Sequence, residues 1–291
     1  MSVGGLLVAV LQQVIDGVFL GLFYAIVASG LALIFGVMDI INFAHGDLVM
    51  ISAYFVWLIS TYLNIDPLLS MLLVLPVLFV LGLAIQKGLI NPVLGKEPLI
   101  QIAVTVGLGF VLQNIALGYF KAEPRGYPNP VFSEGLSIGP FVIYESKLLS
   151  AAVSVLVLFL LDQFLSRTRL GLAMRAVTDD RSSAMLMGIN VERVYLLTFA
   201  VGMVLVGVAS GLWMEMGQVW PYLGTSFSLV SWVAVALAGL GSIRGLVVSA
   251  VIIGIAESMG SLISPSVKMA VVYLIFFFIL WFKPRGFFAK R

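Results

Sequence analysis

Long apolar runs separated by short polar breaks set the pattern of this chain. They occupy about Leu6 to Val37, Leu48 to Leu63, Leu68 to Ile90, Leu99 to Tyr119, Leu148 to Leu165, Val194 to Met214, Leu229 to Leu240, Leu246 to Ile263 and Val267 to Phe282. The runs do not alternate polar and apolar positions over about ten residues, as strands of a membrane barrel do, so helix is the state they predict. A hydrocarbon core about 30 Å thick takes about 20 apolar residues at 1.5 Å rise, and most runs reach that length. The pattern predicts an all-α, polytopic integral membrane helical bundle of eight or nine apolar segments, folded as one transmembrane domain over residues 1–291. The runs from 48 to 63 and from 229 to 240 hold only 16 and 12 residues, and each adjoins a glycine-bearing polar patch. They predict broken or re-entrant helices.

Composition agrees: 61% of the residues are apolar and 10% charged, against about 25% charged in an ordinary soluble domain. The net charge of +2 gives no footprint for nucleic acid. Cysteine is absent, which excludes disulfides and thiolate metal sites. The amino terminus lacks the basic stretch and cleavage site of a signal peptide, so the first apolar run is expected to be retained. Basic residues report sidedness instead. Arg167, Arg169, Arg175, Arg181 and Arg193 in the 166–193 segment, and Lys283, Arg285, Lys290 and Arg291 in the tail, place both on the cytoplasmic side. Lys87 and Lys96 add the 86–98 loop, which leaves the Pro- and Gly-bearing 121–147 segment as an irregular periplasmic loop. The side of the amino terminus depends on whether 48–63 crosses or re-enters. Small residues four apart, at Gly17 and Gly21, Gly207 and Gly211, and Gly241 and Gly245, predict close helix packing.

The densest polar group in the apolar part is "GVMDIINFAHGDLVM", Gly36 to Met50, with Asp39, Asn42, the single histidine His45 and Asp47. No Cys or second His completes a metal site, so none is expected. The group precedes a short apolar run, which predicts a half-helix capped by Asn42 whose first N–H groups face a water-lined cavity. Asn42, His45 and Gly46 are then a structural cap and hinge, a pathway lining, or a proton relay, and the residues leave all three open. "AGLGSIRG", Ala238 to Gly245, breaks the second half at a comparable place, with Arg244 at a helix start. Glu257 lies in mid-helix and must face protein or water, because a lipid-facing carboxylate costs roughly 2.5 to 3.5 kcal/mol. It joins the candidate pathway set. Glu215, between Trp213 and Trp220, marks a helix end at the aromatic belt.

The cytoplasmic stretch "RTRLGLAMRAVTDDRSSAMLMGINVERVY", Arg167 to Tyr195, is amphipathic. Leu170, Met174 and Val177, then Ala184, Met185 and Met187, recur at helical spacing, with Arg175, Asp179, Asp180 and Arg181 toward the other side. Gly188 breaks the run and Asn190 caps the helix that follows. Composition alone allows either a solvated loop or a docking element. Together with "GLFYAIVASGLALIFGVMDIINFAHGDLVMISAY" and "ALAGLGSIRGLVVSAVIIGIAES", in the same order and spacing, this stretch closely resembles the LivH-type permeases of branched-chain amino acid ABC importers. The resemblance runs nearly the whole length. It implies a multi-pass subunit of the bacterial inner membrane that pairs with a homologous second permease, two cytoplasmic ATPase subunits and a periplasmic substrate-binding protein. It also implies that Met174 to Gly188 couples to the ATPase, with Arg175, Asp180, Arg181 and Gly188 as coupling residues.

The chain has no G-x-x-x-x-G-K-[ST] phosphate loop, so ATP and Mg²⁺ are expected on the ATPases, with no cofactor here and no enzyme activity of its own. The resemblance covers importers of branched-chain and other neutral amino acids, urea, short amides and aromatic acids. The rival class is a stand-alone transporter coupled to ions near His45, Asp47 and Glu257. Its acidic residues are few and scattered, whereas the cytoplasmic segment is strongly patterned.

Overall fold

In the computed structural model, residues 3–128, 130–239, 243–283 and 286–287 are described. Leu240, Gly241 and Ser242 of the second polar break, and Arg285, Lys290 and Arg291 of the tail, lie outside them. The chain is helical nearly throughout, in the order α1 (Val3–Met38), α2 (His45–Leu63), α3 (Pro67–Ile85), α4 (Pro98–Phe120), β1 (Gly135–Ile138), β2 (Phe141–Tyr144), α5 (Glu145–Arg167), α6 (Arg169–Asp179), α7 (Arg181–Leu186), α8 (Val191–Met216), α9 (Leu223–Ala238), α10 (Ile243–Ser261) and α11 (Pro265–Phe282). Among the described residues seven helices are long and apolar enough to cross a membrane, and two shorter apolar helices, in α9 and α11, complete the set. Each of the nine apolar runs becomes a helix.

Two local outcomes differ from the sequence reading. The run at 48–63 begins three residues earlier, at His45, and its 19 residues rise about 28 Å, so α2 is long enough to cross. Of the two runs read as short, only the one in α9, a helix of 16 residues, remains so. Within the loop expected to be irregular, Gly135–Ile138 pairs antiparallel with Phe141–Tyr144, Leu136 opposite Ile143 and Ile138 opposite Phe141. The tight Gly139–Pro140 connection is possible because Gly139 takes φ +60.

The hairpin locates the start of α1. Gln12 Nε2 donates to the Val142 carbonyl at 2.8 Å, its Oε1 accepts the Val142 N–H, and Asp16 pairs with Lys147 at 2.7 Å. The amino-terminal end of α1 therefore lies at the hairpin end of the bundle. Its carboxyl-terminal end lies at the opposite, basic end, beside α6 and the 86–98 loop.

α1 packs against α5, α8, α9 and α10 and forms the centre of the bundle. Its Gly17 and Gly21 lie against the backbone of Gly254, Ile255, Ala250 and Val251, so α1 and α10 meet main chain to main chain. Gly207 and Gly211 of α8 serve differently: they receive the side chains of Leu75, Leu78 and Met71 from α3. Both uses follow from small residues at spacing four, where a missing Cβ leaves room for a neighbour. Tyr54 of α2 stacks on Phe120 at 4.1 Å, which ties the end of α4 to α2.

A side chain that abuts backbone cannot relax, whereas one that abuts the tip of a leucine can. Gly21→Ala is therefore expected to lower the thermal midpoint of the purified chain more than Gly207→Ala, although both add one methyl group. Equal midpoints would contradict backbone contact between α1 and α10.

Candidate functional site

The polar group at 39–47 lies where two helices begin. Asp39 leaves the end of α1 with φ +51, and residues 39–44 run without regular structure before α2 starts at His45. His45 Nε2 lies 2.8 Å from the Val27 carbonyl of α1, and its ring abuts Gly30. Eight residues separate Gly30 from Met38, so α2 begins about 12 Å inside the bundle, measured from the basic end of α1. From the hairpin end, residues 217–222 run inward until α9 starts at Leu223. The first turns of α2 and α9 touch: a Cβ on Gly46 would overlap the Gly224 carbonyl and the Ser228 backbone, and one on Gly224 would overlap Asp47.

The polar side chains hold this junction. Ser228 Oγ accepts the Gly46 N–H at 2.9 Å and donates to the Phe43 carbonyl at 3.1 Å. Thr105 of α4 accepts the Phe43 N–H at 3.3 Å, and its hydroxyl lies 3.0 Å from the Ile41 carbonyl. Asp47, 4% exposed, accepts a 2.8 Å hydrogen bond from Gln113 of α4 and lies against Gly109 and Gly224. Asp47 stands in the first turn of α2 and beside the first turn of α9, so its carboxylate faces the positive ends of two helix dipoles. The expected Asn42 cap is corrected here. Ala44 is the N-cap residue and makes no side-chain cap bond, while Asn42 Oδ1 accepts the Ala44 N–H at 3.1 Å, one step before the helix. The expected water-lined cavity at the α2 start is corrected too. Asn42, Ala44, His45, Gly46 and Asp47 are all buried, and Ser228, from another helix, accepts the Gly46 N–H of the first turn.

Glu257 is not part of the junction. It is fully buried in α10, 2.8 Å from Lys268 of α11 and beside Tyr24 of α1. It ties three helices together, and Asn42, His45 and Gly46 are elsewhere. Lys268, inside the last apolar run, is the partner that sequence reasoning missed; its being the one charge in that run is the available signal. Glu215 stands at the end of α8 as expected, but it is buried rather than at a surface. Arg244 is the second residue of α10 and exposed.

The basic end carries the amphipathic segment as α6 and α7. Thr168 caps α6 through the Gly171 N–H, and Gly171, Met174 and Val177 are buried against the bundle. Asp180 caps α7, accepting the N–H groups of Ser182 at 2.7 Å and Ser183 at 3.1 Å and the Ser183 hydroxyl at 3.0 Å. Those bonds, chiefly from Ser183, hold its carboxyl below the usual carboxylate range. Gly188, at φ +81, ends the turn, and Asn190 caps α8 through the Arg193 N–H, both as the sequence predicts. Arg175, Asp180, Arg181 and Gly188 are exposed, and so are Met185, Leu186 and Met187, the last two at 88% and 82%. Of the apolar set expected on one face, only Met174, Val177 and Ala184 are buried. The Arg181 guanidinium sits 5.7 Å over the Tyr195 ring. Two cavities, of about 540 and 770 Å³, flank the end of α1 beside this segment, and Asp39 and Asp179 line both.

The family model described as the permease component of branched-chain amino acid transport systems matches residues 13–280. The chain is 32% identical to the high-affinity branched-chain amino acid transport system permease protein BraD of Pseudomonas aeruginosa, across 95% of this chain and 94% of the relative. It is 30% identical to the permease protein LivH of Escherichia coli K12 across the same shares. The probable branched-chain amino acid permease LivH of Methanocaldococcus jannaschii is 29% identical, across 80% of this chain and 76% of the relative. Among solved structures, PsaBC from Streptococcus pneumoniae in complex with Fab is similar in fold, with a TM-score of 0.50 at 17% identity over 93% of this chain and 91% of that one.

Two outcomes follow from the geometry. Lys268→Met leaves the buried Glu257 without its cation and is expected to cost up to about 3–5 kcal/mol, most of it recovered in the Lys268→Met, Glu257→Gln double variant. Thermal unfolding of the four proteins of the cycle measures this, and a fully additive cycle would contradict the pairing. Because the Asp180 carboxyl is lowered from its ordinary value of 3.8, its cap is fully present above that value and lost as pH falls through the lowered one. Protection of the α7 amides against hydrogen exchange, taken relative to the intrinsic rate at each pH, is expected to stay constant at neutral pH and to fall only in that acid range.

Proposed function

The chain belongs to the family of branched-chain amino acid transport system permease components, and on that premise we propose that it is the membrane-spanning permease of an ATP-driven importer. Its solutes are branched-chain or other neutral amino acids, as the names of its relatives suggest. It sits as a multi-pass protein in the bacterial cytoplasmic membrane, with the basic end inward and the hairpin end, including the start of α1, outward. Two ATPase subunits, which carry ATP and Mg²⁺, dock on the basic end; a substrate-binding protein delivers solute at the hairpin end; a second permease stands alongside.

One observation carries this reading: the exposed Met185, Leu186 and Met187 ridge on a short helix capped at both ends. An apolar ridge held outside the bundle by Asp180 and Gly188 favours burial in a partner. Arg175 and Arg181 beside it supply charge for recognition. Behind the ridge, α6 is seated on α1, α5 and α8 through Met174 and Val177. A push on α7 thus reaches the end of α1, and from there the 39–44 segment and the α2 start. Closing of the ATPases around bound ATP is transmitted along that line and exchanges which end of the passage is open. A free-standing ion-coupled transporter would have no use for such a ridge.

Leu186→Glu with Met187→Glu, and separately Arg175→Glu, are expected to reduce ATP-driven uptake by the reconstituted assembly more than about tenfold, which corresponds to about 1.4 kcal/mol of lost coupling. Membrane insertion and the thermal midpoint of the isolated chain stay unchanged, because these side chains are exposed. Uptake at the parental rate in both variants would refute the coupling role. Uptake driven by an ion gradient without any ATPase would refute the importer reading itself.

A further inference from the structure

The smaller cavity at the basic end, of about 540 Å³, is walled by parts of the chain that are distant in sequence. They are the end of α1 with the residues just after it, the loop before α4, the α6–α7 junction and the start of α8. No residue of α2 or α9 lines it, so it stands apart from the junction of those helices. Its volume falls within the roughly 300 to 1,000 Å³ of sites that hold small molecules. Charges of both signs line it: Asp39 and Asp179, and opposite in sign Lys96 and Arg181, all exposed. Among the described residues none of these is in an ion pair. Asp180, which also lines the cavity, is taken up by the α7 cap.

Tyr195 of α8 is a further lining residue and is only 6% exposed. The Arg181 cation and the Asp39 carboxylate both lie within electrostatic reach of its hydroxyl, and no group among the described residues is hydrogen-bonded to it. A tyrosine buried to this extent ordinarily has a partner for its O–H. The remaining wall is largely apolar, with Phe35, Ile41, Leu94 and Val177. These surfaces select by charge. A bare metal ion would meet Arg181 and Lys96, and no cluster of three His, Cys, Asp or Glu among the described residues could hold one. A phosphate would be repelled by Asp39 and Asp179. A small molecule with one charge of each sign and an aliphatic group satisfies every wall.

We propose that this cavity is a regulatory site that takes an aliphatic amino acid from the cytoplasmic side, and that its occupancy holds back transport. The ligand carboxylate accepts from the Tyr195 hydroxyl and faces Arg181 and Lys96. Its ammonium group faces Asp39 and Asp179, and its side chain lies against Ile41, Leu94 and Val177. A molecule so held bridges the end of α1 and the α6–α7 junction, the two parts between which a push from the ATPases must pass. A ligand that fits one spacing of those parts better than another shifts their equilibrium toward that spacing. Uptake therefore slows as the imported solute accumulates inside.

The site rests on the importer reading, and the experiment keeps the two apart. The assembled transporter is placed in vesicles with its ATPases outward and solute-loaded binding protein enclosed. L-leucine is added outside with ATP, and ATP-driven transport is compared with the rate of the same assembly without external leucine. Leucine is expected to inhibit, whereas isoamylamine and isocaproate, which keep its side chain but lack the carboxylate or the ammonium group, are expected not to at the same concentration. Tyr195→Phe keeps the ring under Arg181 and removes the donor. Asp39→Asn removes the charge and suits the φ of +51, which asparagine readily adopts. Each is expected to raise the half-inhibiting concentration of leucine on the order of tenfold. No inhibition of the parent assembly, or one half-inhibiting concentration shared by the parent and both variants, would overturn the site. Absence of ATP-driven transport in the parent would contradict the importer reading instead. Binding of labelled L-leucine to the purified chain then decides the site, and equal binding by the parent and both variants would overturn it.

Discussion

The arrangement depends on two helix starts meeting inside the bundle. A helix beginning in a bilayer leaves its first N–H groups without water, and those groups carry partial positive charge. Here α2 and α9 enter from opposite ends and bring two such starts together at Gly46 and Gly224. Three devices make this tolerable. Both contact positions are glycine, so the main chains can touch. Ser228 takes a free N–H of α2. Asp47, held by Gln113, places a carboxylate against both positive ends. None of these works alone, because the glycines allow an approach that the dipoles oppose.

The rest of the bundle is arranged around that meeting point. The long α1 spans from the hairpin to the basic end and gives His45 its acceptor at Val27. Its own position is fixed by main-chain packing on α10 and by the Tyr24, Glu257 and Lys268 cluster. α4 supplies Thr105, Gly109 and Gln113 to the junction, and the Tyr54 and Phe120 stack fixes α4 to α2 at the other end. Because the 39–44 segment joins the end of α1 directly to the α2 start, displacement at the basic end has a short path to the junction. The helices concerned are well packed, and the segment that connects α1 to α2 is the part without regular structure.

Much of this was legible in the sequence, and what was not has a common cause. Apolar runs fix helices because hydrocarbon allows no other backbone state, so all nine appeared where hydropathy placed them. Gly188 and Asn190 were readable because turns and caps are local. The start of α2 was placed late because His45 and Asp47 look like loop residues until buried partners for them are known. Asn42 has the right identity for a cap, yet the cap belongs to Ser228, 182 residues away from Gly46. Glu257 was recognised as needing a partner, but nothing local identifies Lys268 or Tyr24. The hairpin at 135–144 was hidden by its glycines and proline, although Leu136 and Ile138 alternate with small residues before the turn and an apolar stretch, Phe141–Tyr144, follows it. Long-range pairing of polar groups is what a single sequence conceals.

The most direct test of the account is the thermal unfolding of the purified chain with Gly46→Ala, beside Gly118→Ala, a glycine with nothing within 4 Å of the added carbon. If the α2 and α9 starts meet through their main chains, the added methyl at 46 must part them, and the cost should reach or exceed the roughly 1–3 kcal/mol of ordinary overpacking. The account predicts a clear loss of midpoint for Gly46→Ala and none for Gly118→Ala. Equal midpoints for Gly46→Ala and the parent chain would contradict it.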